Sequence, residues 1–394
     1  MKRIFKSIIT VCICLTLCAC ADNTESNSDK KFVDQTVIEE NIKDLNKYSL
    51  NEYMLPYWSS DVIYNESVMP LLNEDGTMDP IELMYDIDRI VSVKSTFLNR
   101  TFEPHKDYIV TDGKLLLLTD GQIPFVEYLV MYPDAKLAAI SGGAVQPHKT
   151  KGYMYFAEGS TFHSMQLAVT YIPKGKWDGP VPEKKADLLP KTMAKLKSGE
   201  DLKITLYGDS ISVGANSSKF VNAPPYCENY FQMLVDSLED KFDSNIRLIN
   251  PSEGGKTSGW GVDNAENLVA NQKPDLAIIA FGMNDGSKGT NAVSFKQNIK
   301  KIMDIIKDKN PECEFILVCT MKQNDSWPFA AVQELYVEPL KSLEGRGCAV
   351  ADVTSVHKYL LGKKRYMDMT GNHVNHPNDF IVRLYAQIIF EIFN

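Results

Sequence analysis

Residues 203–218 read KITLYGDSISVGANSS. The apolar run Leu202–Tyr207 predicts a strand, Gly-Asp-Ser ends it, and Gly214 follows within a short loop. A serine held where a strand gives way to a helix presents its hydroxyl beside the unpaired N–H groups of the helix start. Further short apolar runs follow this stretch, at Ile246–Asn250, Asp275–Phe281, Phe315–Thr320 and Cys348–Val353. Amphipathic segments lie between them, at Tyr226–Phe242, Asn264–Asn271, Ala292–Lys309 and Phe329–Glu344. In the third of these, Phe295, Ile299, Ile302, Ile305 and Ile306 recur at helical spacing, so one face is apolar. Such alternation predicts an α/β fold with a parallel sheet covered on both faces. Ligands of such sheets bind at the carboxyl ends of the strands.

Three downstream segments belong with Gly-Asp-Ser: NPSEGGKTSGWG (250–261), FGMND (281–285) and NHVNHPNDF (372–380). Taken alone, Gly-Asp-Ser is a turn after a strand. With the other three in this order, the chain resembles the SGNH (GDSL-type) hydrolases, a family of serine esterases. The resemblance implies a flavodoxin-like three-layer α/β/α domain over residues 200–394. It implies Ser210 as nucleophile, the Gly255 N–H and the Asn284 amide as oxyanion donors, and His376 as base, with Gly254 the rival to Gly255. No cofactor and no metal enter this chemistry. The pattern is not the G-x-S-x-G elbow of α/β-hydrolases, because position 212 is Ser.

One position departs from the family pattern. Many members carry an aspartate three residues before the catalytic histidine, and here that residue is His373. A histidine cannot stabilise an imidazolium by opposite charge. Either another group such as Asp368 or a backbone carbonyl orients His376, or the site works as a Ser–His dyad. His373 and His376 could also pair on a metal, but no Cys/His/Glu cluster at matching spacing offers a third ligand.

Residues 35–175 have a different rhythm. Tyr108–Thr119, Phe125–Tyr132, Gly152–Glu158 and Met165–Ile172 are rich in β-branched and aromatic residues and are separated by turn pairs such as Asp112-Gly113. They predict a β-sandwich, jelly-roll-like, in which only Pro80–Val93 reads as a helix. A proline-rich connector over 176–199 carries a short helix after Pro190. Sandwich plus hydrolase resembles the bimodular carbohydrate O-acetylesterases, which implies an acetylated carbohydrate as substrate. Trp260 and Trp327, in loops expected beside the nucleophile, are candidates for stacking on a sugar. Two alternatives stand beside this reading: a general carboxylesterase or lipase-like acylhydrolase, and a glycan-binding lipoprotein whose hydrolase site has decayed.

The first residues read as an address. Lys2, Arg3 and Lys6 precede the apolar stretch Ile8–Leu17, and Leu17-Cys18-Ala19-Cys20 resembles a bacterial lipobox. The expectation is a signal peptide over 1–19, a lipid-anchored Cys20, a tether over 20–34, and a place in the bacterial cell envelope outside the cytoplasm. Cleavage would make the formal net charge of −9 more negative by three. So acidic a chain lacks the basic face that nucleic acids require. Beyond Cys20 only Cys227, Cys313, Cys319 and Cys348 remain, too few for a dense disulfide framework, although one bridge is possible.

Overall fold

The computed structural model describes residues 48–394. The signal peptide, Cys20, the tether and the start of the expected sandwich lie outside the described residues. The second half holds a five-stranded sheet in the order β10-β9-β11-β12-β13, every neighbouring pair parallel. Its strands are β9 (Leu202–Gly208), β10 (Ile246–Ile249), β11 (Leu276–Ala280), β12 (Glu314–Cys319) and β13 (Cys348–Asp352). Each lies within a residue or two of its apolar run.

Side chains alternate between the two faces of this sheet, as a period of two requires. Ile204, Leu206, Ile278, Ile316 and Val318 join one core with the helices Tyr230–Phe242, Val353–Leu361 and Asp379–Glu391. Tyr207, Ala277, Ile279, Phe315 and Leu317 join a second core under the helices Ser258–Leu268 and Ala292–Lys309. Asparagines cap three of the helices: Asn229 accepts from Phe231 and Gln232 N–H, Asn291 from Ser294 N–H, and Asn378 from Ile381 N–H. A cap of this kind satisfies donors that the helix start leaves unpaired, worth about 1 kcal/mol each. The segment expected as a helix over Phe329–Glu344 is helical only in its middle, where the 3-10 helix Gln333–Tyr336 runs into the short α-helix Val337–Lys341. Asn264–Asn271 begins earlier than read, at Ser258, because the Asp285 carboxylate accepts the Ser258 N–H at the helix start.

The first half is antiparallel. Strands β1 (Ile63–Val68), β2 (Asp86–Ser95), β3 (Thr101–Phe102) and β8 (Leu167–Lys174) form a sheet in the order β1-β8-β2-β3. Two hairpins complete it: β4–β5 (Tyr108–Thr111, Lys114–Leu117) and β6–β7 (Val145–His148, Gly152–Tyr155). Two expectations change here. Pro80–Val93 is no helix, because Ile87, Ile90 and Val93 are drawn into the long pairing of β2 with β8. Phe125–Tyr132 holds no strand and instead contains the short helix Tyr128–Met131.

The two halves share the first core. Val93, Phe102, Val169 and Tyr171 of the antiparallel sheet belong to the same cluster as Phe380, Leu384 and Ile388 of the last helix. Polar contacts cross the same boundary. Lys364 Nζ donates to Glu66 Oε1 at 2.6 Å with both side chains fully buried, and Tyr57 OH donates to the Phe380 carbonyl at 2.7 Å. The helix expected after Pro190 runs Pro190–Ser198 and buries Met193 and Leu196 in that core. The four cysteines among the described residues are free and buried.

Candidate active site

Strand β9 delivers Ser210. Gly208 is tightly enclosed: a Cβ there would lie 2.6 Å from the Ala280 carbonyl and 2.4 Å from Ser212 Oγ, so only glycine lets β9 run this close to β11. Asp209 then caps the turn Ser210–Val213 by accepting the Ile211 N–H at 3.1 Å. Burial pushes the Asp209 carboxyl up to about 7, and nearby Asp285 adds to the rise. Asp209 thus serves the backbone turn, and the side-chain partners of His376 are other residues.

His376 Nε2 lies 2.9 Å from Ser210 Oγ. The loop that holds the histidine is shaped by Asn372, whose Oδ1 accepts the N–H groups of Val374, Asn375 and His376. The other ring nitrogen, His376 Nδ1, faces two acceptors, Asn216 Oδ1 at 2.7 Å and Glu158 Oε2 at 3.3 Å. Asn216 is buried in a left-handed backbone conformation, and its Nδ2 donates to the Gly371 carbonyl, which fixes which way the amide points.

The glycine loop crosses the end of β9. Glu253 N–H donates to the Gly208 carbonyl and Gly208 N–H to Ser252 Oγ. Gly255 has φ +75°, a conformation that favours glycine, and an open space where a side chain would stand. Neither Ser210 N–H nor Gly255 N–H donates to a protein group among the described residues. Asn284 Nδ2 donates one hydrogen to the Lys256 carbonyl at 3.0 Å and keeps a second. Asp285 ties the two loops together by accepting from Ser258 N–H and Oγ, and Asn298 Nδ2 donates to the same hydroxyl.

The structure thus brings Ser210, Gly254, Gly255, Asn284 and His376 to one cleft of about 340 Å³, with Trp327 on its rim. The opposite wall comes from the first half: Gln146, Phe156 and Glu158, on and just after the β6–β7 hairpin. Trp327 Nε1 donates to Gln146 Oε1 at 3.3 Å, and its ring lies 4.3 Å from that of the half-exposed Phe329. Trp260 is placed differently from the expectation. It sits on the helix Ser258–Leu268 against Tyr207 and Phe281, with Lys256 over its ring, and does not line the cleft. Its position on the helix turns it towards the second core.

His373 and His376 are engaged in separate contacts. The His373 ring is buried among Tyr132 and Phe162, and its Nδ1 pairs with the Tyr155 carbonyl at 3.0 Å. Asp368, weighed above as a partner for His376, is held instead by Arg365 and by the Met69 N–H. Among the described residues no group of three His, Cys, Asp or Glu is placed to hold a metal ion. Sequence reading missed Asn216, Glu158 and Gln146. Asn216 carried a faint signal, lying six residues after the nucleophile in KITLYGDSISVGANSS.

Residues 206–381 match the profile of the GDSL-like Lipase/Acylhydrolase family. An arylesterase of Vibrio mimicus is 30% identical over 106 residues, 27% of this chain and 49% of that protein. Thioesterase 1/protease 1/lysophospholipase L1 of Escherichia coli K12 is 27% identical over 109 residues, 28% of this chain and 47% of that protein. The chain spans about half the length of the curated relatives it matches. Among solved structures, a two-domain esterase active on acetylated mannans, co-crystallized with mannopentaose, aligns at 24% identity with TM-score 0.43, over 53% of either chain. An acetylxylan esterase, Axe2 of Geobacillus stearothermophilus, aligns at 19% identity with TM-score 0.41, over 50% of this chain and 96% of the other.

Proposed function

Residues 206–381 form a GDSL-like lipase/acylhydrolase domain, and on that premise we propose that this chain is a serine esterase that removes O-acetyl groups from carbohydrates outside the cytoplasm. The observation that carries the reading is the 2.9 Å contact of Ser210 Oγ with His376 Nε2, beside two unengaged N–H groups and the Asn284 amide. Ser210 Oγ attacks the acetyl carbonyl carbon and its proton passes to His376 Nε2. The oxyanion is held by Ser210 N–H, Gly255 N–H and Asn284 Nδ2. Donors of this kind are worth about 3 kcal/mol each at the transition state. His376 then protonates the departing sugar oxygen, and water activated by the same nitrogen hydrolyses the acetyl-enzyme.

The walls favour a small acyl group and a hydroxylated leaving group. Gln146, Glu158, Asn284 and Asn375 offer hydrogen bonds, and Phe156, Val374 and Trp327, with Phe329 packed on its ring, supply the apolar surface, of which the Trp327 indole stands at the rim. A sugar face can stack on that indole while its hydroxyls reach the polar wall. Trp327→Ala should raise KM for an acetylated oligosaccharide about tenfold and leave kcat/KM on p-nitrophenyl acetate within about threefold, the worth of one aromatic contact. Equal losses on both substrates would remove Trp327 from sugar binding.

The arylesterase and thioesterase relatives favour a second reading, a broader acyl hydrolase. A series of p-nitrophenyl esters of rising chain length, run beside acetylated xylo- and manno-oligosaccharides, separates the two. Acetate release from the oligosaccharides with activity falling as the acyl chain lengthens supports the deacetylase. A preference for long acyl chains with no acetate from the sugars supports the broader hydrolase. The assembled nucleophile and base speak against a decayed glycan-binding module.

The location outside the cytoplasm rests on the sequence around Cys20. Full-length protein made in a bacterial host should partition with membranes, and Cys20→Ala should move most of it to the soluble fraction. Equal partitioning of both forms would rule out a lipid anchor at this residue.

A further inference from the structure

The arrangement around His376 Nδ1 divides between two residues a role that a single group could fill. An imidazole acting as base needs its far nitrogen held in one tautomer and its transient positive charge balanced. Asn216 Oδ1, at 2.7 Å, can fix the ring, but a neutral amide supplies no charge. The one carboxylate within 4.0 Å of the His376 ring nitrogens among the described residues is that of Glu158.

Glu158 reaches this place by a route on which His373 sits. Nearly all of the His373 side chain is buried, and burial pushes its pKa down to about 4, so the ring is neutral and its Nδ1–H donates to the Tyr155 carbonyl at the end of β7. Lys149 N–H donates to the Ser326 carbonyl at the hairpin's turn, and Trp327 holds Gln146. Beyond Tyr155 the chain turns back over the cleft, where Asn372 Nδ2 donates to Glu158 Oε1 at 3.2 Å and leaves Oε2 for His376. Burial alone would raise the Glu158 carboxyl. The hydrogen bond and charge of His376, with the amides of Asn372 and Asn216, more than offset it and hold the carboxyl below its ordinary range.

We infer that Glu158 is the charge-bearing positioning residue of this site, with Asn216 fixing the ring of His376 and His373 docking the hairpin that carries Glu158. The inference rests on the reading of Ser210 and His376 as nucleophile and base. The Glu158 side chain is 53% exposed, so water screens it in the free protein. A polymeric substrate lying across the cleft removes that water and strengthens the pair.

The test uses the whole chain and a small acetyl ester. Glu158→Gln keeps the shape and loses the charge. It should lower kcat about 10- to 100-fold, less than the loss of a fully buried triad carboxylate because the group is screened. KM should stay within about twofold, and Glu158→Asp, which keeps the charge, should recover part of the lost kcat. Asn216→Ala should also lower kcat, with KM likewise little changed. His373→Ala should cost at most about tenfold, and nearly nothing in the Glu158→Gln background, because both changes remove the same contact. If His373→Ala folds poorly, His373→Gln, whose amide can still donate to the Tyr155 carbonyl, should retain most activity. Glu158→Gln at wild-type kcat would overturn the inference, and so would fully multiplicative losses for Glu158 and His373. An active Ser210→Ala would instead bring down the serine reading on which it stands.

Discussion

Ser210→Ala should lower kcat/KM on p-nitrophenyl acetate by about three decades or more, and His376→Ala should do nearly the same. The expectation follows from the shared proton. Ser210 Oγ is a weak nucleophile until His376 Nε2, 2.9 Å away, takes its hydrogen, so removing either partner disables the same step. The double variant should therefore be scarcely worse than either single one, because groups acting as a unit lose activity together. What remains is the contribution of the oxyanion donors and of binding, roughly a thousandfold over water. Ser210→Ala removes a single hydroxyl, whose hydrogen-bond partner among the described residues is the His376 imidazole, so the fold should be retained. Stopped or steady-state assays of purified variants, with far-UV circular dichroism as control, check this. A Ser210→Ala protein that keeps more than about a tenth of the activity is incompatible with a serine nucleophile at this position.

Glu66→Ala should produce the largest loss of stability. Glu66 lies on β1 in the first half and Lys364 in the loop before the His376 segment, and both side chains are fully buried. Glu66 accepts from Lys364 Nζ, from Met84 N–H at 2.7 Å and from Tyr171 OH at 2.8 Å, so its removal strips partners from three buried donors. Leaving the Lys364 ammonium uncompensated costs about 3–5 kcal/mol. In a chain of this length that corresponds to a fall in melting temperature of about 5 °C. Replacing both partners, as in Glu66→Ala with Lys364→Met, should recover part of the loss, because the buried charge is then gone. Activity should fall with the folded fraction and not ahead of it. A Glu66→Ala protein melting with the wild type would mean that this pair does not join the two halves.

The hydrolase half was legible because its signals are local. Each parallel strand is an apolar run ended by a turn, and Gly-Asp-Ser, the glycine loop, Met283-Asn284-Asp285 and His376-Pro377-Asn378 each sit at a strand end or before the last helix. What stayed hidden depends on contacts between distant residues. Glu158 meets His376 across 218 positions, and only the docking of the β6–β7 hairpin brings them together. The run Gly152–Glu158 could be read as strand-forming from its residues, but not that the strand ends at Tyr155 or where the chain beyond it would point. Pro80–Val93 failed for a related reason: its apolar spacing suits a helix, and the pairing with β8 decides for a strand. The two tryptophans looked alike in sequence, yet a helix turns Trp260 to the core and a loop leaves Trp327 at the cleft.

The most direct test of the account requires no substitution. The protein is treated with a fluorophosphonate, which modifies activated serines, while acetate release from an acetylated oligosaccharide is followed in the same sample. Peptide mass spectrometry then locates the modified residue. The account predicts that acetate release is lost in step with phosphonylation of Ser210, and that excess acetylated oligosaccharide slows both. Full acetate release from protein fully modified at Ser210, or loss of release with the label on another residue, would contradict it.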